Sequence, residues 1–365
     1  MRSGSAIVPR EHVPLRPFTT LGVGGAARWF VTAERPDDVA AAHRWAAEQR
    51  VPILVLGGGS NLVIADEGFD GLVLHIGIRG LELSASAEVT RVIAGAGESW
   101  DRLVSAVVER GLAGVECLSG IPGTVGGTPI QNVGAYGQDV SATIEHVVVF
   151  DTIERRTRTL ASSECGFAYR MSRFKGEDAG RFIVCEVAFC LRHGRPTTSY
   201  ADVSAYFGRM NVAEPTVADV RNAILEIRRR KGMVLDAGDP DTRSVGSFFM
   251  NPLVSLDDRE RIASATGEDV PGFASSASRV KIPAAWLIER AGFGKGYGDG
   301  KVGISTKHPL AIVNRGDASA REVVQFAATI KRGVADRFGV WLRPEPVFVG
   351  FALDSGVEYL QRANH

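Results

Sequence analysis

Two glycine-dense segments constrain this chain more than any other feature. Gly57-Gly58-Gly59-Ser60-Asn61 follows directly on the apolar run 53–56, which reads as a buried strand. Residues 118–137 then hold Gly120, Gly123, Gly126, Gly127, Gly134 and Gly137, a density that suits neither helix nor strand. The first segment lacks G-x-G-x-x-G spacing, and residues 62–65 after it read as strand, not helix. That speaks against a doubly wound nucleotide fold, which sets a pyrophosphate on a helix N-terminus. Consecutive glycine amides still form a nest for phosphate oxygens without a helix. A plain tight hairpin is the other reading of residues 57–61.

The longer segment weakens the hairpin reading. Long glycine-dense loops in compact domains are usually functional, and Gln131 and Asn132 add side-chain donors and acceptors. Two separated nests suit a ligand with two phosphates and a large flat ring. A flavin dinucleotide has both.

The 365 residues allow two to three domains, and 45% hydrophobic with 23% charged residues allow a large core. Lys+Arg 42 against Asp+Glu 42 leaves a net charge of +0. That argues against a general nucleic-acid or polybasic membrane binder, so an anionic ligand must be met by local charges. The first 20 residues hold no signal-like apolar run, and no stretch approaches the ~20 apolar residues of a membrane span. Cys117, Cys165, Cys185 and Cys190 form no CxxC and read as reduced thiols. The seven histidines show no ligand spacing, so no metal is expected. A cytoplasmic protein is the expectation.

Apolar spacing predicts helices over 39–49, 100–110, 217–230 with Thr216 as cap, 284–291, and 319–338 with Glu322 completing a capping box. Strands are expected at 53–56, 62–65, 71–76, 91–96, 147–150 and 183–191. A turn-forming boundary lies at 193–196. The class is mixed α+β.

Several longer blocks together are recognisable. Residues 18–25 (FTTLGVGG), 56–61, 119–137 (ending PIQNVGAYG), 165–175 (CGFAYRMSRFK), 245–252 (VGSFFMNP), 281–292 and 341–350 resemble the UDP-N-acetylenolpyruvoylglucosamine reductase family, in the family's order. Tyr200 in TSYADV resembles the tyrosine loop of its type I branch. The resemblance implies an FAD-binding fold of the vanillyl-alcohol-oxidase (PCMH) type in two sub-domains, plus a C-terminal α+β substrate domain. It implies an FAD domain over 17–194, divided at about 77/78, a substrate domain over 195–350, and terminal extensions 1–16 and 351–365. Implied too are non-covalent FAD, NADPH as hydride donor, and reduction of the enolpyruvyl ether of UDP-N-acetylglucosamine to the lactyl ether of UDP-N-acetylmuramic acid, by a monomer. No histidine falls in either glycine loop, the nearest being His75.

Hydride addition to a double bond conjugated to a carboxylate builds an enolate, which needs fixed positive charge and then a proton. By the resemblance, Arg170 clamps the enolate, Glu345 assists, and Ser247 donates the proton. FAD would lie on Leu56, Gly57, Gly58, Gly59, Ser60, Asn61, Ser119, Gly120, Ile121, Pro122, Gly123, Gly126, Gly127, Gln131, Asn132, Gly134, Ala135 and Tyr136. The substrate would meet Tyr169, Tyr200, Lys231, Asn251 and His308. Arg228, Arg229 and Arg230 read as a solvated face, and Phe248 and Phe249 as core. A flavin oxidase of the same fold, or a binding protein without catalysis, are the competing classes.

Overall fold

The structure is a computed structural model that describes residues 7–86, 88–276 and 278–362. Expectations for the ends of the two terminal extensions, residues 1–6 and 363–365, fall outside the described residues. The chain divides into two compact units. Met1–Val13, Ala27–Gly59 and Asp70–Val234 make the first; Pro14–Ala26, Ser60–Phe69 and Leu235–His365 make the second. The turn expected as a boundary at 193–196 lies within the first unit, and the division at that side falls after Val234.

Besides a two-stranded sheet, Gly134–Ala135 with Gln138–Asp139, the first unit holds two larger sheets. One runs in the order Arg10–Pro14, Ala26–Ala33, Phe69–Ile76, Ile53–Leu56, and its last pair is parallel, with Ile53 opposite Leu72 and Leu56 opposite His75. The other runs Arg156–Ala161, Ile144–Asp151, Phe182–His193, Thr90–Gly95, Leu81–Ala85, antiparallel throughout. Its central strand, Phe182–His193, is an almost unbroken apolar run because both of its faces are covered.

Among the described residues this unit carries helices α1 (Pro36–Gln49), α2 (Trp100–Val108), α3 (Ala201–Met210) and α4 (Val217–Arg230). In α2 the buried positions Trp100, Leu103, Val104, Val107 and Val108 repeat at helical spacing and form one stripe. Thr216 caps α4 by accepting from the Asp219 amide, while the Asp219 carboxylate returns to the Thr216 amide. Helix α3 was not expected from the sequence, because only Val203 and Phe207 are buried in it and so short a stripe gives little periodicity.

The second unit is built on helices α5 (Leu256–Thr266), α6 (Ala284–Arg290), α7 (Ala320–Phe338) and α8 (Ser355–Gln361). The spine is α7, capped by Ser319 and Glu322 as expected and burying Val323, Val324, Ala327, Ile330, Val334 and Phe338. Leu62–Ile64 pairs in parallel with Val347–Val349. The strand after the first glycine loop therefore does not return to Ile53–Leu56, and the hairpin reading of residues 57–61 falls.

Lys331 is fully buried within α7. Its ammonium donates to the carbonyl oxygens of Leu360 and Arg362, 2.7 Å each, at the end of α8, where a helix dipole favours a cation. Burial, then Arg343 and Arg362, lower its pKa to about 8. The folded value lies below the ordinary lysine value, so folding releases a proton between the two. Its contribution to stability therefore rises with pH from about 8 upward. Lys331→Met is expected to remove that slope and to release α8, at about 1–3 kcal/mol. Faster protease cleavage of the C-terminal segment would show it, and an unchanged cleavage pattern would contradict it.

Candidate active site

The two glycine segments meet within the first unit. A Cβ on Gly57 would lie 2.8 Å from Thr124 Oγ1, and one on Gly58 would lie 2.6 Å from the Gly123 Cα. Only glycine lets these backbones approach so closely. Gly59 takes φ +60°, a left-handed conformation of the kind found in anion-binding nests. Among the described residues, no carbonyl accepts from the amides of Gly57, Gly58 or Gly59. Leu56, fully buried, anchors the strand that feeds this loop.

Trp100 fixes the second loop at two points. Its amide donates to the Gly123 carbonyl at 3.1 Å, and its indole Nε1 to the Leu118 carbonyl at 3.1 Å. The Gly120 amide donates to Asp101 Oδ1 at 2.6 Å, and Arg221 forks onto both oxygens of that carboxylate at 2.7 and 3.0 Å. Burial pushes the Asp101 carboxyl up, but Arg221 and the Gly120 amide outweigh it and leave the pKa lowered. Gly126 has no room for a side chain, since a Cβ there would stand 2.6 Å from that of Ala96. Ile121, Pro122, Gly123 and Gly127 lie at least partly open to solvent, whereas Ser119 is buried and its hydroxyl donates to the Glu116 carbonyl at 2.6 Å.

The amides of Gly57–Gly59, closed to side chains, fit the phosphates of FAD, while the amides of Gly120, Val125, Gly126 and Gly127 are bonded within the protein and hold the second loop in shape. Gly57–Gly59 and the stretch 121–124 are the segments in the first unit that would hold the cofactor. His75 lies in the strand Phe69–Ile76, with its ring stacked on Phe30.

Arg170 sits at the tip of a tight hairpin. Ala168 and Met171 exchange backbone hydrogen bonds at 3.0 and 3.1 Å, leaving Tyr169 and Arg170 as the central pair, with Arg170 at φ +54°. Three further bonds lock this hairpin to the second glycine loop. Asn132 Nδ2 donates to the Ala168 carbonyl at 3.0 Å, Ser172 Oγ to Ile130 at 2.6 Å, and Arg170 Nη2 to Gly134 at 2.6 Å. Asn132 is buried, and its Oδ1 accepts from the Ser141 amide. The Arg170 guanidinium lies 5.4 Å from the Tyr169 ring centroid, and Gly134 and Ala135 pair with Asp139 and Gln138 beside it.

Lys231, at the end of α4, lies with Tyr136, Tyr200 and Asp202. Its Nζ is 2.6 Å from Asp202 Oδ2 and 5.6 Å from the Tyr136 ring centroid. Tyr200 stands at the N-cap position of α3 without a side-chain capping bond and packs edge-on against Tyr136 at 5.4 Å. Burial lowers the Lys231 pKa, but the Asp202 carboxylate more than reverses this and leaves it raised. Arg228 corrects the sequence reading, being buried rather than solvated. Its Nη2 donates to the Met233 carbonyl at 2.7 Å and to Gly120 at 3.4 Å, and its Nε has no partner.

In the second unit, Ser247 and Glu345 lie on adjacent segments. The Glu345 amide donates to the Phe248 carbonyl at 2.9 Å, and the Met250 amide to Arg343 at 3.0 Å. Asn61 bridges to the same place, with its Nδ2 donating to the Glu345 carbonyl at 3.3 Å and its own carbonyl accepting from Val347 at 3.0 Å. Ser60-Asn61 thus belongs to the segment that holds Glu345. Phe248 and Phe249 are buried core residues, as expected, and they fix Ser247, which is half-buried.

Asn251 Oδ1 accepts from the Ala284 amide at 2.9 Å, capping α6. His308 Nδ1 accepts from the Leu310 amide at 3.0 Å. The Leu310 carbonyl in turn receives the Phe248 amide at 2.8 Å. A surface cavity of about 540 Å³, bordered by Gly296, Tyr297, Asp299 and Phe326, holds none of the expected site residues.

The sequence missed the supports: Trp100, Asp101, Arg221, Arg228 and Asp202. Each acts across a long sequence gap and belongs to no local motif. Cys117, Cys165 and Cys185 are buried, and burial raises the Cys117 thiol to about 12. Among the described residues, no helix is long and apolar enough to cross a membrane, and no cluster of His, Cys, Asp and Glu could hold a metal.

Residues 27–154 match the FAD binding domain, and residues 239–349 match the UDP-N-acetylenolpyruvoylglucosamine reductase, C-terminal domain. The chain is 49% identical to the UDP-N-acetylenolpyruvoylglucosamine reductase of Thermobifida fusca, over 94% of this chain and 98% of that one. It is 46% identical to that of Streptomyces coelicolor, over 94% and 91%. A crystal structure of the reductase from Thermus caldophilus superposes with a TM-score of 0.64 at 27% identity, covering 94% of this chain and all of that one. With its α+β class, its FAD-binding fold and its C-terminal domain, the chain belongs to the UDP-N-acetylenolpyruvoylglucosamine reductase family.

Proposed function

We propose that this flavoenzyme of peptidoglycan precursor synthesis reduces the enolpyruvyl ether of UDP-N-acetylglucosamine to UDP-N-acetylmuramic acid. NADPH is the reductant, and the protein works as a monomer in the cytoplasm. The observation that carries this reading is the Arg170 hairpin, locked by three hydrogen bonds onto a glycine loop shaped for a dinucleotide. Non-covalently bound FAD supplies a carrier for hydride between the two substrates. The functional division we propose is an FAD domain over 17–194 and a substrate domain over 195–350; compactness and function need not divide a chain at the same residue.

Arg170 meets the negative charge that develops on the substrate carboxylate, and its fixed fork makes that stabilisation preorganised. Glu345 assists the same charge as a proton-bearing partner, from its backbone-paired segment. The Ser247 hydroxyl delivers the proton to the adjacent carbon, a role open to so weak an acid only because the carbanion is strongly basic and water is excluded. Lys231 takes the diphosphate, Tyr200 closes over it, and Tyr169, Asn251 and His308 complete the binding surface.

The test is Arg170→Lys in the holoenzyme, assayed for conversion of the enolpyruvyl sugar to a product carrying two more hydrogens. Charge remains but the planar fork is lost, so kcat should fall about 10²–10³-fold, while FAD content stays at the wild-type level. Wild-type kcat in this variant, or wild-type enzyme that never forms the lactyl product, would contradict the reading.

A further inference from the structure

The lysine at the end of α4 is already paired. Lys231 already has a full counter-ion in Asp202, 2.6 Å away, and both side chains are only partly exposed, at 37% and 42%. A diphosphate approaching this lysine meets an ion pair, not a free cation. Asp202 also has a second favourable place. It lies in the first turn of α3, whose N-cap Tyr200 supplies no side-chain cap, and a carboxylate there is stabilised by the helix N-terminus without Lys231.

We propose that Asp202 is an exchangeable counter-ion: it holds Lys231 until a diphosphate takes the lysine and Asp202 falls back on the first turn of α3. This rests on the reading of Lys231 as the diphosphate ligand. Two features besides the carboxylate hold the lysine. Its backbone is fixed at the C-cap of α4, where its amide donates to the Arg228 carbonyl at 3.1 Å, and its Nζ lies 5.6 Å from the Tyr136 ring centroid. The ammonium therefore keeps the Tyr136 ring as a neighbour when the ion pair opens. The exchange gives the site selectivity by charge. A ligand must bring at least as much negative charge as the carboxylate it displaces, which a diphosphate does and an uncharged nucleoside does not.

The experiment measures binding of uridine diphosphate and of uridine to the FAD-loaded protein by calorimetry, for wild type, Asp202→Asn, Lys231→Ala and the double variant. Asp202→Asn should tighten uridine diphosphate binding about three- to tenfold, since both the competing ion pair and the like-charge repulsion are gone, and should leave uridine unchanged. In the Lys231→Ala background the same change should give a clearly smaller gain. Asp202→Ser guards against a local effect of the amide and should behave like Asp202→Asn. Weaker or unchanged binding of uridine diphosphate in both Asp202 variants, with Lys231→Ala still damaging, overturns the counter-ion exchange alone. If Lys231→Ala leaves uridine diphosphate binding intact, the placement of the diphosphate fails first and the exchange fails with it. Equal gains for uridine and uridine diphosphate would mark a purely structural role for Asp202 and also overturn the proposal.

Discussion

Gly58→Ala should leave a folded protein that purifies with little or no FAD. The added methyl carbon would stand 2.6 Å from the Gly123 Cα and 3.0 Å from its carbonyl carbon. No flexible side chain can yield there, so one loop must back away from the other. Overpacking of this kind costs about 1–3 kcal/mol, up to about a hundredfold in FAD affinity if it falls on the bound state. The loss would be read from the ratio of flavin to protein absorbance and from an FAD titration of the stripped protein. Gly194→Ala, where a Cβ would have nothing within 4 Å, should retain its flavin. A Gly58→Ala protein with full flavin content would show that the close approach of the two glycine loops is not what holds the cofactor.

Ser247→Ala should split the two half-reactions. NADPH should still bleach the flavin at the wild-type rate, because this hydroxyl serves only the enolpyruvyl substrate. Turnover should fall about 10²–10⁴-fold, the usual contribution of a positioned acid. The flanking Phe248 and Phe249 are buried core residues, and Phe248 is bonded through its backbone to both Leu310 and Glu345. Removing one oxygen should therefore leave the segment in place, and kcat should change more than KM. Unchanged turnover would remove Ser247 from the acid role. A matching loss in flavin reduction would point to a general disturbance of the site.

Much of this architecture was legible in the chain because local rules carry it. The helix at 217–230 announced itself through Thr216 and a basic last turn, and α7 through Ser319 and Glu322. The strand at 53–56 was visible as an apolar run ending in glycine, and it is found at those residues. What stayed hidden depends on partners far along the chain. Nothing local says that Leu62–Ile64 pairs with Val347–Val349, nearly the whole sequence away. The same holds for Asp101 and Arg221, which brace Gly120 from two helices. Arg228 was misread for a related reason. A run of arginines at a helix end is usually solvated, and only the packing of α4 against the second glycine loop puts this one inside.

Asn132 carries a further long-range link within a recognised motif. Its side chain donates to the Ala168 carbonyl and accepts from the Ser141 amide. It supports the hairpin that carries Arg170.

The most direct test of the whole account is the anaerobic absorbance of the bound flavin. NADPH should bleach it, and UDP-N-acetylenolpyruvoylglucosamine added afterwards, without oxygen, should restore the oxidised spectrum. A flavin that bleaches but recovers only when oxygen is admitted would contradict the account and turn the assignment to an oxidase.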